Sequence, residues 1–246
     1  MHVSYSLGLS ATSYYLFSTA IFVACLCFFS FGVLKSSSAL LFFSAVLFSP
    51  ATLILLHTPR YVLAMAFFLL AMFALHKRSY LLCVCSVTFS VLSHTVGGAV
   101  TGAFIVMYSM TPLFQGLSVI ALSMLFYAAI VGYFDFIAPF SAYAAEDHDR
   151  GFGRLLVAIF TFLFAFLLFK GRSNMRFFLF FLFCLTVFFF YLTPYTHRLL
   201  YFLLFFSIFY LMFNSKTLFS RGLVVLYFSL NFLFSIYIVK EGLYGY

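Results

Sequence analysis

Residues 177–190 read FFLFFLFCLTVFFF, from Phe177 to Phe190, with no charge and one hydroxyl, Thr186. A strand of a lipid-spanning barrel alternates apolar and polar positions, and this run does not. It is bounded by Lys170, Arg172 and Arg176 on one side and by Tyr191-Leu-Thr-Pro-Tyr-Thr-His-Arg198 on the other. An apolar segment with polar ends is the pattern of a membrane helix. Outward from it, similar segments recur from Tyr14 to Val239. Of the 246 residues 66% are hydrophobic and 7% charged, and the mean hydropathy is +1.18. Soluble domains carry about 25% charged residues, so this chain could not cover a surface facing water. In lipid, helices satisfy their own backbone groups.

The reading predicts an all-α integral membrane protein of about ten transmembrane helices (eight to ten) in one membrane bundle, with residues 1–246 forming a single polytopic domain. The helices are expected near 14–34, 39–57, 60–75, 80–95, 97–111, 115–134, 154–170, 177–193, 198–213 and 222–239. Several are shorter than the roughly 20 residues of a perpendicular span. Gly97, Gly98, Gly102 and Pro112 interrupt the pattern over 80–134. Gly98 and Gly102 form a GxxxG spacing, which predicts close helix packing.

The net charge of +8 is spread in single residues and small clusters between apolar segments. No basic stripe exists for a phosphate backbone, so nucleic acid is excluded as a partner. The connections sort by charge. One set holds Lys35, Lys77, Arg78, Lys170, Arg172, Arg176, Lys216 and Arg221, eight basic residues with no acid. The other holds Arg60, Arg150, Arg154, Arg198 and Lys240 together with all five acids, Asp135, Glu146, Asp147, Asp149 and Glu241. The positive-inside rule puts the first set in the cytoplasm and the second outside, and the sets alternate along the ten-helix pattern. Residues 135–153 become the long outer loop. The N-terminal residues 1–13 lack a basic n-region, so the first segment does not read as a cleaved signal.

Cys25, Cys27, Cys83, Cys85 and Cys184 all lie in apolar runs. Residues i and i+2 of a helix point about 200° apart, so the two Cys-x-Cys pairs are poor chelators and read as small hydrophobes. His57, His94, His148, His197 and Asp135 fall towards the outer face, but no HExxH-like spacing joins them, and no metal or cofactor is expected. Arg60 follows His57-Thr58-Pro59, a connection short enough to hold the guanidinium near membrane depth. An Arg at a helix centre costs about 2.5–3.5 kcal/mol on insertion scales, so such residues are functional candidates. The plainer reading is an anchor that snorkels to the headgroups. A helix-end His is commonly an interface residue, and residues 135–153 are commonly a solvated loop.

From Ser49 the chain reads SPATLILLHTPRYVLAMAFFLLAMFALHKRSYLLCVCSVTFSVLSHTVGGAV. This resembles the EpsG family of bacterial polysaccharide polymerases, relatives of the Wzy-type O-antigen polymerases. In that family a short outer connection ends in an Arg that opens an Ala-containing helix, here Arg60 and Ala64. A basic turn follows, here His76-Lys77-Arg78, then a helix ending in a His, here His94. Tyr191 to Arg198 resembles the later outer connection, in which an Arg opens another helix. The chain departs from the family at Tyr61, commonly Gln, and at Thr95-Val96-Gly97-Gly98, where a small polar residue and a leucine are common. Family members are usually longer at the N-terminus, by an expected one to three early spans.

The resemblance implies a glycosyltransferase that joins oligosaccharide repeat units carried on undecaprenyl pyrophosphate, at the outer face of the bacterial inner membrane. Its products would be O-antigen, capsule or exopolysaccharide, and its partners lipid-linked oligosaccharides, membrane lipids and polysaccharide-assembly proteins. Arg60 and Arg198 become the expected pyrophosphate clamp, since a guanidinium binds phosphate oxygens bidentately and keeps its charge near lipid. His94, and after it His197, is the expected acceptor of the hydroxyl proton. Tyr61, Tyr195 and Arg150 are the further expected substrate contacts. The alternative is a multi-span transporter or flippase for a lipid-linked or small solute, which would normally carry an acid near the midplane or an internal repeat. Neither is visible in the sequence.

Overall fold

A computed structural model of the protein describes residues 10–34, 36–47, 49, 52, 59–109, 121, 124, 152–168, 173–190, 196–215 and 218–240. Among the described residues all regular structure is helical: α1 Ala11–Val33, α2 Ser36–Leu47, α3 Pro59–His76, α4 Tyr80–Ser93, α5 Thr95–Ser109, α6 Phe152–Leu168, α7 Ser173–Phe190, α8 Thr196–Asn214 and α9 Leu218–Lys240. Two stretches, Thr12–Val33 and Pro59–His76, are long and apolar enough to cross a membrane, and shorter apolar helices accompany them.

Local chemistry sets the boundaries. Ser10 caps α1, its hydroxyl accepting from the Ser13 N–H at 3.1 Å. Pro59 opens α3, where its fixed φ suits a helix and its missing N–H costs nothing. The helix expected over 39–57 is not continuous: α2 ends at Leu47 and Ser49 lies in a bend. Pro50 disfavours helical geometry at the residue before it. The Ser49 hydroxyl donates to the Val46 carbonyl at 2.9 Å, which holds the turned chain against the helix end. Of the helix expected over 115–134 only Ala121 and Met124 are described, both helical. The loop 135–153 lies outside the described residues apart from its last two, which begin α6.

The chain forms two compact units, Met1–Ile105 with Val225–Gly245, and Val106–Val224. In the first, α3 packs on both α1 and α4, and α1 on α2. Ala64, Ala66, Ala71 and Ala74 of α3 are fully buried, and such small side chains let neighbouring helices approach closely. The Phe73 ring lies against Gly32, where an added Cβ would stand 2.5 Å from it. The C-terminal ends of α1 and α3 therefore meet. Helix α4 runs back, with Phe89 stacked on Phe67 at 5.4 Å. Helix α5 follows the direction of α3, with Phe104 edge-on to Phe68 at 5.4 Å.

In the second unit α6, α7 and α8 pack on one another. Phe162 of α6 stacks on Phe183 of α7 at 4.0 Å, and Phe178 of α7 meets Phe206 of α8 edge-on at 4.8 Å. Helix α8 is the centre, buried without a break from Phe202 to Met212. Arg176, near the start of α7, folds back over the end of α6. Its guanidinium lies 4.3 Å above the Phe166 ring and donates to the Phe166 carbonyl at 3.1 Å. A cation there answers both an unpaired carbonyl and the negative helix end. Asn174 donates to the carbonyl of Tyr108, a residue of the same unit, at 2.8 Å.

Several described helices turn an apolar face outward. Leu156, Phe160, Leu163 and Leu167 expose one face of α6 at helical spacing, and Leu226, Leu230 and Leu233 one face of α9. On α4 the same is true of Leu81, Val84 and Leu92, while Ser86 and Ser90 point inward and are fully buried.

Candidate functional site

The N-terminal end of α3 and the joint between α4 and α5 meet at one end of the first unit. Arg60 stands in the first turn of α3 and is exposed. Tyr61, one residue on, turns inward and is only 2% exposed. Its ring meets His94 edge-on, with centroids 4.8 Å apart and planes at 82°. The fold thus sets Tyr61 against His94, with Arg60 the neighbouring residue of the chain.

His94 is a single extended residue between α4 and α5, where the sequence suggested a joint at residue 96 after a helix ending at 95. Its N–H closes α4 on the Ser90 carbonyl at 2.9 Å, and its own carbonyl accepts from Gly98 at 2.8 Å to begin α5. The ring takes part as well: Nδ1 accepts from the Gly97 N–H at 3.4 Å. His94 thus caps α5 as Asn or Ser commonly would, satisfying a backbone donor that has no partner within the helix. With Nδ1 accepting, the neutral ring carries its proton on Nε2, a tautomer assigned from the hydrogen-bond pattern.

Below the joint lies a buried polar tie that the sequence reading missed. Ser90 of α4 and Thr101 of α5 are both fully buried, with their hydroxyl oxygens 3.1 Å apart. Thr101 also lies 2.7 Å from the Gly97 carbonyl, to which it can donate, and either hydroxyl can be the donor between the two. Ser90 also reaches the Ala64 carbonyl of α3 at 3.3 Å. Three helices are joined at one hydroxyl pair directly under His94. The signal was present in the sequence as Ser and Thr within apolar helices, which pack inward and bond across interfaces.

His197 and Arg198 stand in the first turn of α8, in the other unit, and their side chains lie outside the described ones. Tyr195 and Arg150 lie outside the described residues, as do His57, His148 and the five acids. Among the described residues no three His, Cys, Asp or Glu side chains converge. Cys25 and Cys83 are buried among apolar neighbours and Cys85 is exposed, so the reading of all five as buried hydrophobes holds only in part. No family model, no curated protein and no solved structure matches the chain, and the site is read from its own residues.

Proposed function

We propose that this chain is a multi-pass protein of the bacterial inner membrane that joins undecaprenyl-pyrophosphate-linked oligosaccharide repeat units at the outer face. The observation that carries this reading is the place of the two Arg-opened helices. Arg60 and Arg198 are the residues on which the family resemblance rests, and each opens the buried central helix of its unit, α3 or α8. A catalytic cation needs a rigid support, and the central helix is the most constrained element available.

The membrane part of the reading rests on the distribution of surface. Stripes of Leu, Val and Phe face outward on α4, α6 and α9 while Ser90, Thr101, Thr161, Thr186 and Ser207 face inward. A water-soluble protein rarely exposes apolar patches of this extent, and lipid is the solvent that favours them. Membrane helices gain little from burying leucine against leucine and associate through small residues and hydroxyls, as α3, α4 and α5 do.

In the proposed reaction a sugar hydroxyl of one lipid-linked unit attacks the anomeric carbon of the growing chain. A new glycosidic bond forms as the bond to the lipid pyrophosphate breaks, and the electron pair leaves with the pyrophosphate. Arg60 binds the phosphate oxygens and stabilises the charge that grows on them. The attacking hydroxyl loses its proton to His94. Because Nδ1 holds the Gly97 N–H, uptake of that proton there releases the cap of α5, which couples the chemical step to the joint. Arg198 is proposed for the same phosphate chemistry as Arg60, on its motif alone.

The test is polymerisation in vitro. Purified protein incubated with lipid-linked repeat units is expected to give a ladder of products on a gel. Arg60→Lys keeps the charge and loses the bidentate fork, so the ladder should form about ten- to a hundred-fold more slowly at unchanged protein level. A wild-type protein that gives no ladder while it moves a fluorescent lipid-linked sugar across vesicles would replace the polymerase by a flippase. Unimpaired Arg60→Lys would leave Arg60 as an anchor.

A further inference from the structure

Helix α3 ends in an unusual way. The Arg78 N–H bonds the Leu75 carbonyl at 3.1 Å and the Ser79 N–H bonds the Ala74 carbonyl at 2.9 Å, which together make a Schellman motif. Arg78 occupies its left-handed position, with φ 57, the one non-glycine residue at positive φ among the described residues. Glycine or asparagine is usual there, because a Cβ crowds the following carbonyl. The chain therefore keeps a long cationic side chain where the backbone disfavours any side chain. A residue held at such a cost points to a function for that side chain. Compensation of the helix dipole does not require it, since Lys77 would serve with glycine at 78.

The surroundings are uniformly basic. His76, Lys77 and Arg78 are exposed, and Lys77 Nζ stands 5.8 Å over the Phe73 ring. That ring lies on Gly32, so the end of α1 at Leu34 reaches the same place, and Lys35 is the next residue of the chain. Residues 1–134 contain no Asp or Glu, and no acid within that stretch can neutralise these cations. We infer that the joined C-terminal ends of α1 and α3 bind the phosphate headgroups of anionic phospholipids, with Arg78 and Lys77 as the principal contacts. Arg78 presents a fork for phosphate oxygens, and the left-handed turn carries it clear of the helix axis. The inference rests on the membrane part of the proposed function and is independent of the polymerase part.

The experiment follows thermal unfolding of the detergent-solubilised full chain during titration with short-chain phosphatidylglycerol. Phosphatidylcholine of the same chain length and inorganic phosphate serve as controls. Phosphatidylglycerol is expected to raise the unfolding temperature and the controls to leave it unchanged. Arg78→Gly should have two effects of opposite sign. Relief of the left-handed strain raises the unfolding temperature without lipid by about 2 °C. Loss of one surface cation raises the half-saturating phosphatidylglycerol concentration about five-fold. Arg78→Asn, which tolerates the same backbone, should weaken lipid binding equally, and Arg78→Lys should restore most of it. An unchanged phosphatidylglycerol response in both Arg78→Gly and Arg78→Asn overturns the inference, as does an equal response to inorganic phosphate. A chain released from membranes by alkaline carbonate would instead remove the membrane reading on which the inference stands.

Discussion

At the scale of single residues, His94 has a structural task and a proposed chemical one, and the two can be separated. Its Nδ1 holds the Gly97 N–H and its ring packs edge-on to Tyr61. Alanine removes both contacts. A lost cap costs about 1 kcal/mol and a lost ring pair about 0.5–1.5 kcal/mol, so His94→Ala should unfold measurably earlier than wild type. Asparagine is among the best capping residues, and His94→Asn keeps an acceptor where Nδ1 stands. Its stability should fall by no more than the ring contact. If the imidazole takes the hydroxyl proton, however, His94→Asn should polymerise about 10²–10⁴-fold more slowly, with donor binding unchanged. Wild-type turnover in His94→Asn would make the residue a cap and nothing more. The sequence marked His94 as a residue of interest by its place at a helix end. It could not show the cap, because histidine is not a usual capping residue and the bond depends on a one-residue joint.

At the scale of helices, most boundaries were legible because charge and proline punctuate the apolar runs. The basic turn at Lys77-Arg78 falls where the sequence put it, and α3, Pro59–His76, exceeds the expected 60–75 by one residue at each end. The end of α2 did not, although Ser49-Pro50 was available as a stop signal; apolar continuity through residues 51–56 outweighed it in the reading. Orientation about each axis was illegible for a physical reason: when both faces of a helix are apolar, periodicity no longer distinguishes the packed face from the lipid face. The GxxxG pair shows the consequence. Gly98 and Gly102 are equivalent in sequence, yet a Cβ on Gly98 would stand 2.4 Å from the Val91 Cα, and one on Gly102 would meet nothing within 4 Å. Close packing was therefore the right expectation for one glycine of the two. Gly98→Ala pushes α5 off the backbone of α4 and should cost about 1–3 kcal/mol. Gly102→Ala should be neutral or stabilise by up to about 1 kcal/mol, since alanine is the better helix former. Thermal unfolding of the two variants in the same detergent checks the contrast, and equal effects would mean that the α4–α5 contact is not as described.

At the scale of the whole chain, the prediction with the widest reach is which ends share a side. Within the first unit the ends of α1 and α3 meet through Gly32 and Phe73, and α4 returns to bring His94 beside Tyr61. The helix ends that lead to Lys35 and carry Lys77 and Arg78 therefore lie together, opposite Arg60 and His94. In the second unit Arg176 folds over the end of α6, so the end of α6 and the start of α7 meet. These contacts are read within each unit by itself; the charge rule sorts Lys35, Lys77, Arg78, Lys170, Arg172 and Arg176 into one set. If the protein spans the membrane as proposed, that set is cytoplasmic. With the five native cysteines replaced, a single cysteine at Arg78 should react with a membrane-impermeant maleimide only in inside-out vesicles. A single cysteine at Asp147, in the long loop assigned to the outer face, should react only in right-side-out cells. Labelling of both positions from one side would break the alternation between residues 78 and 147. The helix count between them would then be even, and the outer placement of the Arg60–His94 end would have to be re-established by a cysteine at Arg60 itself.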